Sequence, residues 1–400
     1  MEFKDFGLKA PLLEGIDAMN FKEATPVQEQ AIPVILSGKD IIASAQTGTG
    51  KTAAFLLPVV NQIMDMPHDG SIKALVIVPT RELAVQIDQQ LEGLSYYTSI
   101  SSLAVYGGGD GTSFAQEKEA LVSGADVIIG TPGRLIAHLN MGYVKTQNLQ
   151  FLILDEADRM LDMGFNEDIM KIVSNLPKKR QSLMFSATMP GKIRELARKL
   201  LNEPEEINIA ISKPAERIVQ AAFSVYDSQK IALAQYILEA KPLQSVIIFC
   251  STKSSTKDLN RALQKIGVKA EAIHSDLEQK EREDVLRQFK NKKLNVLVAT
   301  DILSRGIDIE DIELVVNYDV PNDGEDYIHR IGRTARAASK GVAFTFISEK
   351  EQGKFRDIEE LLGEPVPKAK VPAQLGEAPV YNPSAKRRGG GFRRTGRKKR

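Results

Sequence analysis

The stretch Phe151–Asp158, which reads FLILDEAD, constrains the fold of this chain more than any other. An unbroken run of four apolar residues is typical of a strand buried on both faces, as in a parallel sheet covered by helices. Acidic residues follow it directly at Asp155, Glu156 and Asp158, and open α/β sheets bind their ligands at that end of their strands. Taken alone, the stretch fits equally well a buried strand that leads into a charged helix.

A glycine-rich segment about a hundred residues upstream provides the partner that such acids need. It follows the predicted strand Asp40–Ser44 and precedes the apolar run Ala53–Val60, which is the context of a phosphate-binding loop. In such a loop Lys51 neutralises phosphate oxygens and Thr52 ligates Mg²⁺, while backbone N–H groups surround the phosphates. Alanine stands at the first position, where glycine is usual. The predicted nucleotide contacts are Ala45, Gln46, Thr47, Gly48, Thr49, Gly50, Lys51 and Thr52.

Short apolar runs recur along the chain, and they end in polar or small residues. Predicted helices separate most of them, as in βαβ units, so the carboxyl ends of the strands should share one edge of a sheet. The pattern weakens around Asn202–Arg217, which predicts α/β domains at residues 1–209 and 218–365 joined by a linker at 210–217. The further predicted strands are Ala74–Val78, Leu103–Tyr106, Asp126–Ile129, Ser182–Phe185, Ser245–Cys250, Ala270–Ile273, Leu294–Ala299, Leu314–Tyr318 and Gly341–Ile347.

Three arginines at intervals of three residues, Arg330, Arg333 and Arg336, mark the second domain. On a helix they would share one face, which is repulsive unless an anion lies opposite. No acid lies between His329 and Arg336, so ion pairs within the segment do not explain them. Because the second domain has no glycine-rich Lys-Thr loop of its own, we expect it to act on the nucleotide bound by the first.

The end of the chain is strongly basic. Lys386–Arg400 contains nine Lys and Arg and no acid, so the remainder of a chain with net charge +1 is acidic. From Val366 onward, proline and glycine interrupt the sequence without periodicity, which predicts a disordered basic tail over residues 366–400. Arginine and glycine interleaved with Phe392 favour loose nucleic-acid binding through phosphates and stacking. The alternative is a solubilising appendage.

Composition argues against several classes of protein. The single Cys250 and four scattered histidines provide no disulfide framework and no zinc-ligand spacing, as expected in a reducing compartment. The charged N-terminus lacks the apolar core of a signal peptide. No apolar run approaches the roughly 20 residues that a membrane-spanning helix needs. We therefore expect a cytoplasmic protein without a membrane segment.

In this order and spacing, over roughly residues 1–350, the motifs are highly specific. The chain resembles the DEAD-box ATP-dependent RNA helicases, a family named for the letters at Asp155–Asp158, and among them it most resembles bacterial RhlE-type members. The resemblance implies two RecA-like domains that bind ATP and Mg²⁺ and have RNA as their partner. It also implies RNA-stimulated ATP hydrolysis coupled to closure of the domains, with local unwinding of short RNA duplexes or remodelling of RNA–protein complexes.

The resemblance assigns roles around the nucleotide. Phe21 would stack on adenine and Gln28 would hydrogen-bond the edge of the base, while Phe3 matches an upstream aromatic position. Asp155 would hold Mg²⁺, and Glu156 would orient or deprotonate the attacking water. The other implied residues are Gly306 and Asp308 as nucleotide contacts of the closed state, Arg333 and Arg336 as arginine fingers, and Ser186, Thr188 and His329 as coupling residues.

The implied RNA contacts lie in both domains. Because no base-reading element is evident, they are expected to recognise the RNA backbone with little sequence preference. Three positions depart from the commonest letters of the family, namely Asn20, Ser275 and Ala335, and these small or turn-compatible replacements bear on local backbone geometry only. The implied RNA-binding residues are Pro79, Thr80, Arg81, Gly107, Gly108, Thr131, Pro132, Gly133 and Arg134, followed by Gln279, Arg282 and Thr300.

Two other interpretations stay open at this point. A DNA helicase or translocase of the same superfamily also has two such domains, and composition does not separate it from an RNA helicase. A non-catalytic RNA clamp is the other, although it would have no use for the intact Lys51, Glu156 and Arg333. Ribosomal particles and the RNA-decay machinery are the partners considered, and the core is expected to be monomeric.

Overall fold

Each half of the chain is built on its own parallel sheet. The structure is a computed structural model that describes residues 1–45, 48–108, 111–209, 218–240, 243–300, 312–322, 324–334 and 341–383. The chain divides into two compact units, the first built on Met1–Ala215 together with Ile273–Lys290 and the second beginning at Glu216. Within the described ranges each sheet has seven strands. The predicted α/β fold with two parallel-sheet domains is confirmed, whereas the linker at 210–217 lies outside the described residues and the domain limits stay predictions.

The first sheet consists of β1 (Ile41–Ser44), β2 (Ala74–Ile77), β3 (Ser102–Val105), β4 (Val127–Gly130), β5 (Phe151–Leu154), β6 (Gln181–Ser186) and β7 (Glu205–Asn208). They lie in the order β3-β4-β2-β5-β6-β1-β7, and all neighbouring pairs are parallel. The sequence did not predict β7. In this edge strand Ile207 is the one buried residue, so no apolar run marks it.

Helices cover both faces of the first sheet. They are α1 (Ala10–Ala18), α2 (Pro26–Leu36), α3 (Lys51–Ile63), α4 (Arg81–Leu94), α5 (Gly111–Ser123), α6 (Pro132–Asn140), α7 (Ala157–Asp162), α8 (Asn166–Ser174) and α9 (Gly191–Leu200). Side chains alternate along a strand, so Ile41 packs in the layer of α1 to α4 and Ile42 in the layer of α6 to α9. Helix α3 is buried along most of its length, and its Phe55 lies 5.2 Å from Phe185 of β6 between ring centroids. The core therefore fixes the helix that follows the glycine-rich loop.

The second sheet consists of β8 (Ile218–Ser224), β9 (Val246–Phe249), β10 (Ala270–Ile273), β11 (Val296–Ala299), β12 (Leu314–Asn317), β13 (Gly341–Ile347) and β14 (Lys368–Ala369), in the order β10-β11-β9-β12-β13-β8-β14. The pairings that join β11 through to β14 are parallel. The helices that follow β8 along the chain are α10 (Lys230–Ala240), α11 (Lys253–Lys265), α12 (Gln279–Lys290), α13 (Gly324–Ile331) and α14 (Gln352–Leu362). Of these, α12 belongs to the first compact unit. No helix in the described ranges is both long and apolar enough to cross a membrane.

The prediction of disorder from residue 366 onward is wrong for residues 366–383. Strand β14 pairs with β8 at the edge of the second sheet, and the Tyr381 hydroxyl donates a hydrogen bond to Glu359 over 2.7 Å. The Gln352 side chain binds the backbone of Val380 and Asn382 over 2.9 and 2.8 Å. A few contacts at long sequence separation hold this segment, and such contacts leave no periodicity in the sequence. The basic residues 386–400 lie outside the described residues.

Candidate functional site

The predicted site residues of the first unit gather at one edge of its sheet. Strands β5, β6 and β1 are neighbours, so the acidic cluster, the segment beginning at Ser186 and the glycine-rich loop leave the sheet side by side. Strands β3, β4 and β2 are also neighbours, and the predicted RNA segments leave the sheet from their ends. The carboxyl edge of a parallel sheet is where such folds bind ligands. Strand order therefore divides the edge into a predicted nucleotide half and a predicted RNA half.

The glycine-rich loop has the geometry of a phosphate cradle. Gly48 and Gly50 have φ angles of +80° and +89°, in the left-handed region that favours glycine. Helix α3 begins at Lys51, whose side chain is buried and whose Nζ has no hydrogen-bond partner among the described residues. A buried ammonium beside a helix N-terminus is costly unless an anion pairs with it, so these residues fit a phosphate group. Gln46 and Thr47 lie outside the described residues.

The Gln28 side chain reaches this loop directly. Its Nε2 donates a hydrogen bond to the carbonyl oxygen of Gly50 over 3.0 Å, and its Oε1 accepts one from the backbone N–H of Thr25 over 2.9 Å. A Cβ atom at Gly50 would lie 2.4 Å from Gln28 Nε2. Sequence reasoning predicted an adenine contact for Gln28 and missed this tie to the loop. The adenine contact stays a prediction, as does stacking by Phe21, which is half-buried with its ring 6.4 Å from that of Phe3.

The acidic cluster lies at the same carboxyl edge of the first sheet. Asp155, Glu156 and Asp158 are each at most 5% exposed. Glu156 has a φ of +51°, an uncommon conformation for a residue other than glycine, between the end of β5 and the start of α7. Such strain occurs at functional sites, where the surrounding structure enforces it. The Glu156 Oε2 lies 3.4 Å from Nη1 of Arg159. This turn thus places the adjacent carboxylates of Asp155 and Glu156 at the end of β5.

The Asp155 carboxyl is electrostatically unusual. Burial raises its pKa to about 6, the ammonium of Lys51 opposes this, and the charge of Glu156 adds to it. Its Oδ1 accepts a hydrogen bond from the backbone N–H of Glu156 over 2.9 Å. A buried carboxylate near a phosphate cradle suits a divalent cation, which compensates its charge. Asp155, with the half-buried Thr52 at the start of α3, therefore fits Mg²⁺.

Asp158 links two segments of the site, although the sequence indicated no role for it beyond its letter in the motif. Its Oδ2 accepts hydrogen bonds from the backbone N–H groups of Ala187 and Thr188, both over 3.2 Å. The carbonyl oxygen of Ser186 in turn accepts one from the N–H of Ala45 over 3.1 Å. The segment Ser186–Thr188, predicted to couple hydrolysis to unwinding, is therefore tied to the acidic cluster and to the glycine-rich loop. The sequence signal that could have identified Asp158 is its position as the last acid of the cluster.

Two of the predicted RNA segments meet at Arg81 and Gly108. Gly108 has a φ of +93°, and a Cβ atom there would lie 1.8 Å from Nη1 of Arg81. The guanidinium therefore lies directly against the backbone beside Gly107, and the positive φ favours glycine at 108. Thr80 caps helix α4 by accepting a hydrogen bond from the N–H of Leu83 over 3.3 Å, and Pro79 before it is buried.

The third segment, Thr131–Arg134, forms the start of helix α6. The N–H of Thr131 donates a hydrogen bond to Val105 of β3 over 3.1 Å, Pro132 is buried and Gly133 is exposed. A turn would normally leave an arginine exposed to solvent, but Arg134 is largely buried. Its side chain is 13% exposed, and its Nε donates a hydrogen bond to Glu117 over 2.6 Å. Sequence reasoning missed Glu117, which lies on a different helix.

The arginines of the second unit do not share one helical face. Helix α13 ends at Ile331, and a Cβ at Gly332 would lie 2.9 Å from the carbonyl oxygen of Ile328. Arg330 is fully buried and donates from Nη1 to the Asn317 side chain and the Asp319 carbonyl over 3.2 and 3.1 Å. The prediction of a common face for Arg330 and Arg333 is wrong, because the helix ends between them and Arg330 has acceptors inside its own unit.

The remaining predicted residues are placed only in part. His329, Arg282 and Thr300 are buried, and Arg333 is half-buried. Gly306, Asp308, Arg336 and the side chain of Gln279 lie outside the described residues.

Comparison with known proteins agrees with this geometry. Residues 25–196 match the family model described as DEAD/DEAH box helicase, and residues 229–338 match the one described as helicase conserved C-terminal domain. The ATP-dependent RNA helicase CshA of Listeria monocytogenes is 43% identical over 360 residues, which cover 90% of this chain and 68% of that protein. CshA of Bacillus subtilis is 42% identical over 371 residues, covering 92% of this chain and 74% of that protein.

Solved structures show the same fold. S. cerevisiae Dbp5 bound to RNA and ADP-BeF3 matches with a TM-score of 0.83 at 32% identity, covering 93% of this chain and 95% of that chain. Mss116p bound to single-stranded RNA and AMP-PNP matches with a TM-score of 0.82 at 29% identity, covering 93% of this chain and 79% of that chain. The predicted RecA-like fold is thereby confirmed. The curated relatives described above carry the name CshA, so they do not specifically support the placement with RhlE-type members.

Proposed function

The chain belongs to the DEAD-box ATP-dependent RNA helicases and is an ATP-hydrolysing RNA helicase, and on that premise we propose that it couples ATP hydrolysis to closure of its two units on RNA. The observation that carries this proposal is the tie between Asp158 and the segment Ser186–Thr188. The segment begins at the end of β6, which lies between β5, the strand before Asp155, and β1, the strand before the glycine-rich loop. A change at the phosphates can therefore reach a second loop of the same edge. Closure bends the bound RNA, and short duplexes lose a few local base pairs.

ATP is held by the residues of the glycine-rich loop. Lys51 pairs with phosphate oxygens, because its buried ammonium has no acceptor among the described residues, and the first N–H groups of α3 face the same charge. Thr52 and Asp155 hold Mg²⁺, which when bound neutralises phosphate charge. Glu156 orients the attacking water or accepts its proton, from a backbone turn that fixes its direction.

Arg333 and Arg336 of the second unit act as arginine fingers in the closed state. Phosphoryl transfer depends on positive charge around the equatorial oxygens, and the first unit supplies only part of it. Placing the arginines on another unit makes hydrolysis conditional on closure. RNA that spans both units favours the same closed state, so ATP and RNA are coupled through one conformational equilibrium.

RNA is bound through its backbone with little sequence preference. The loops after β2, β3 and β4 present Arg81, the glycines beside it and the start of α6 at one edge. Thr131 makes no side-chain hydrogen bond to the first turn of α6, so the N–H groups of that turn suit a phosphate oxygen. Phosphate contacts of this kind position RNA without reading bases. The relatives described as bound to RNA support RNA as the ligand.

The cellular setting of the reaction is a separate proposal. We place the protein in the cytoplasm as a monomer, with ribosomal particles or the RNA-decay machinery as partners. Crosslinking in cells, followed by identification of the bound RNA, tests the choice between those partners.

The test of the proposal compares ATPase stimulation by single-stranded RNA and by DNA of the same sequence, together with displacement of a short RNA duplex. We expect strong stimulation by RNA and displacement that requires ATP. Equal stimulation by both nucleic acids would overturn the RNA assignment in favour of a DNA motor. Glu156→Gln is the control for chemistry, because it keeps the volume of the side chain and removes the carboxylate. Undiminished hydrolysis by this variant would overturn the role given to Glu156, and absence of hydrolysis in the wild type would favour a non-catalytic clamp.

A further inference from the structure

Helices α5 and α6 are joined by a buried polar network that the reaction described above does not use. Its centre is Glu117, which is 8% exposed. One oxygen, Oε2, accepts a hydrogen bond from Nε of Arg134 over 2.6 Å and lies 2.7 Å from Nε2 of His138. Both nitrogens belong to α6, so a single carboxylate oxygen of α5 holds two side chains one turn apart on its neighbour.

The far side of His138 is also fixed. Its Nδ1 forms a short hydrogen bond with the Tyr143 hydroxyl. With the imidazole proton assigned to Nε2, the hydroxyl donates to Nδ1 and the ring donates to Glu117. Both ring nitrogens of His138 then have a partner. Hydrogen bonds on both sides of a buried ring hold it in one geometry.

The Phe114 ring packs against the faces of the His138 imidazole and the Arg134 guanidinium. Its ring stacks on His138 with centroids 4.4 Å apart and planes within 10°. The Arg134 guanidinium carbon lies 4.4 Å from the centroid of the same Phe114 ring. Arg134 is thus held at its edge by a carboxylate and at its face by an aromatic ring, an arrangement that restricts a side chain otherwise rich in rotamers.

The carboxylate keeps its charge in this buried position. Burial by itself would raise the pKa of Glu117, but the hydrogen bonds from His138 and Arg134 outweigh it and hold the pKa below its ordinary value. An ionised Glu117 makes both hydrogen bonds charge-assisted, which are about twice as strong as neutral ones.

The helices that this network joins carry two different predicted RNA segments. Helix α5 follows the loop of Gly107 and Gly108, and α6 begins directly after Thr131. We propose that Glu117 is a positioning residue for RNA binding: it fixes Arg134 and holds these two segments in one register along the RNA backbone. This inference rests on the proposed function, since it assigns a support to the same RNA surface.

The test compares Glu117→Gln with Glu119→Gln in the full chain, using the RNA concentration that half-saturates the ATPase. Glu119 is exposed on the same helix, so each variant loses one negative charge and only the first loses the network. If charge alone matters, both variants bind RNA equally well or better than wild type. We expect the KM for RNA to rise roughly three- to tenfold in Glu117→Gln and not in Glu119→Gln, with kcat at saturating RNA within about twofold of wild type.

A double-mutant cycle shows whether Glu117 acts through Arg134. We expect Arg134→Ala to raise the KM for RNA and Glu117→Gln to add little in that background, because the group it positions is gone. Additive effects, or a KM of Glu117→Gln equal to that of Glu119→Gln, would overturn the inference while leaving the proposed function intact. Absence of RNA stimulation in the wild type would instead overturn the proposed function, and the inference with it.

A second variant covers the case in which Glu117→Gln does not fold. His138→Phe keeps a ring against Phe114 and removes the nitrogen that donates to Glu117. We expect the same rise in the KM for RNA, to a smaller extent. A purely structural network would lower the melting temperature of this variant and leave its KM for RNA unchanged at temperatures well below the melting point, and that result would overturn the inference.

Discussion

The Oδ2 of Asp158 lies 3.2 Å from the backbone nitrogen of Thr188 and accepts its hydrogen bond. The contact joins the acidic cluster after β5 to the loop after β6, and a second bond from Ala187 to the same oxygen reinforces it. Because the acceptor is charged and buried, each such bond contributes on the order of 1.5–3 kcal/mol. The position of this loop therefore depends on Asp158.

Asp158→Asn tests whether this tie couples hydrolysis to unwinding. The amide keeps one acceptor but loses the charge, so the loop is held less firmly. We expect the RNA strands displaced per ATP hydrolysed to fall roughly tenfold, the effect of about 1.4 kcal/mol, with a smaller change in ATPase rate. Glu167→Gln, an exposed change on α8, is the control. An unchanged ratio of displacement to hydrolysis would contradict the coupling role.

Gly50→Ala tests the contact between the glycine-rich loop and Gln28. Gly50 has a φ of +89°, and a Cβ there would lie 2.4 Å from Gln28 Nε2, so the variant adds a displaced side chain to the backbone strain. Gly142→Ala is a matched control, because Gly142 has a φ of +75° and nothing within 4 Å of its Cβ position. Strain alone costs about 1–2 kcal/mol. We expect both variants to lose stability and only Gly50→Ala to lose ATP affinity, by roughly tenfold or more, measured with a fluorescent ATP analogue.

The network around Glu117 predicts a pH dependence of stability. The folded-state pKa of Glu117 is lowered from 4.5, so its ionised form stabilises the fold above pH 4.5, and that contribution is lost as the pH falls through the folded pKa. The difference in melting temperature between wild type and Glu117→Gln should be largest near neutrality and shrink on acidification. Thermal denaturation from about pH 7.5 down to about pH 3.5 measures it. A difference that stays constant with pH would contradict the assignment.

The sequence predicts those parts of the fold that have continuous local signals. The four apolar residues of β5 are predicted at their observed limits, because burial on both faces leaves an unbroken run. Strand β7 leaves no such signal, since an edge strand of the sheet buries only Ile207. The two-residue strand β14 is held by a ladder with β8 and by Tyr381, whose ring centroid lies 4.3 Å from Nζ of Lys368. Neither its length nor its spacing distinguishes it from a loop.

The site was predictable where a role depends on a short motif and not where it depends on distant contacts. The glycine-rich loop and the acidic cluster each lie within eight residues. The Glu117 contact to Arg134 spans 17 residues and two helices, so no local pattern reports it. The equal spacing of Arg330, Arg333 and Arg336 predicted a common helical face, but the helix ends between the first two. Burial then assigns Arg330 to the core.

Arg333→Ala tests the proposed arginine finger. We expect ATP turnover at saturating RNA to fall by on the order of 10³–10⁵, the range of such residues, while ATP affinity falls less because the glycine-rich loop is intact. Arg330→Ala should behave differently, since it leaves the Asn317 side chain and the Asp319 carbonyl without their donor. It should lower the melting temperature of the second unit. Loss of nucleotide binding by Arg333→Ala would contradict a site divided between two units.

Two truncations separate the packed segment 366–383 from the basic residues beyond it. Removal of residues 386–400 takes away nine positive charges, so RNA affinity should fall and its dependence on salt should flatten, with no change in melting temperature. Removal of residues 364–400 also uncovers β8 and the Phe355 ring that Tyr381 contacts, so the melting temperature should fall by roughly 5–10 °C. Tyr381→Phe isolates the hydroxyl bond to Glu359, worth about 1 kcal/mol, and should cost roughly 2–4 °C. Equal melting temperatures for both truncations would show that residues 366–383 contribute nothing to the fold, and an unchanged salt slope would show that the basic residues do not contact RNA.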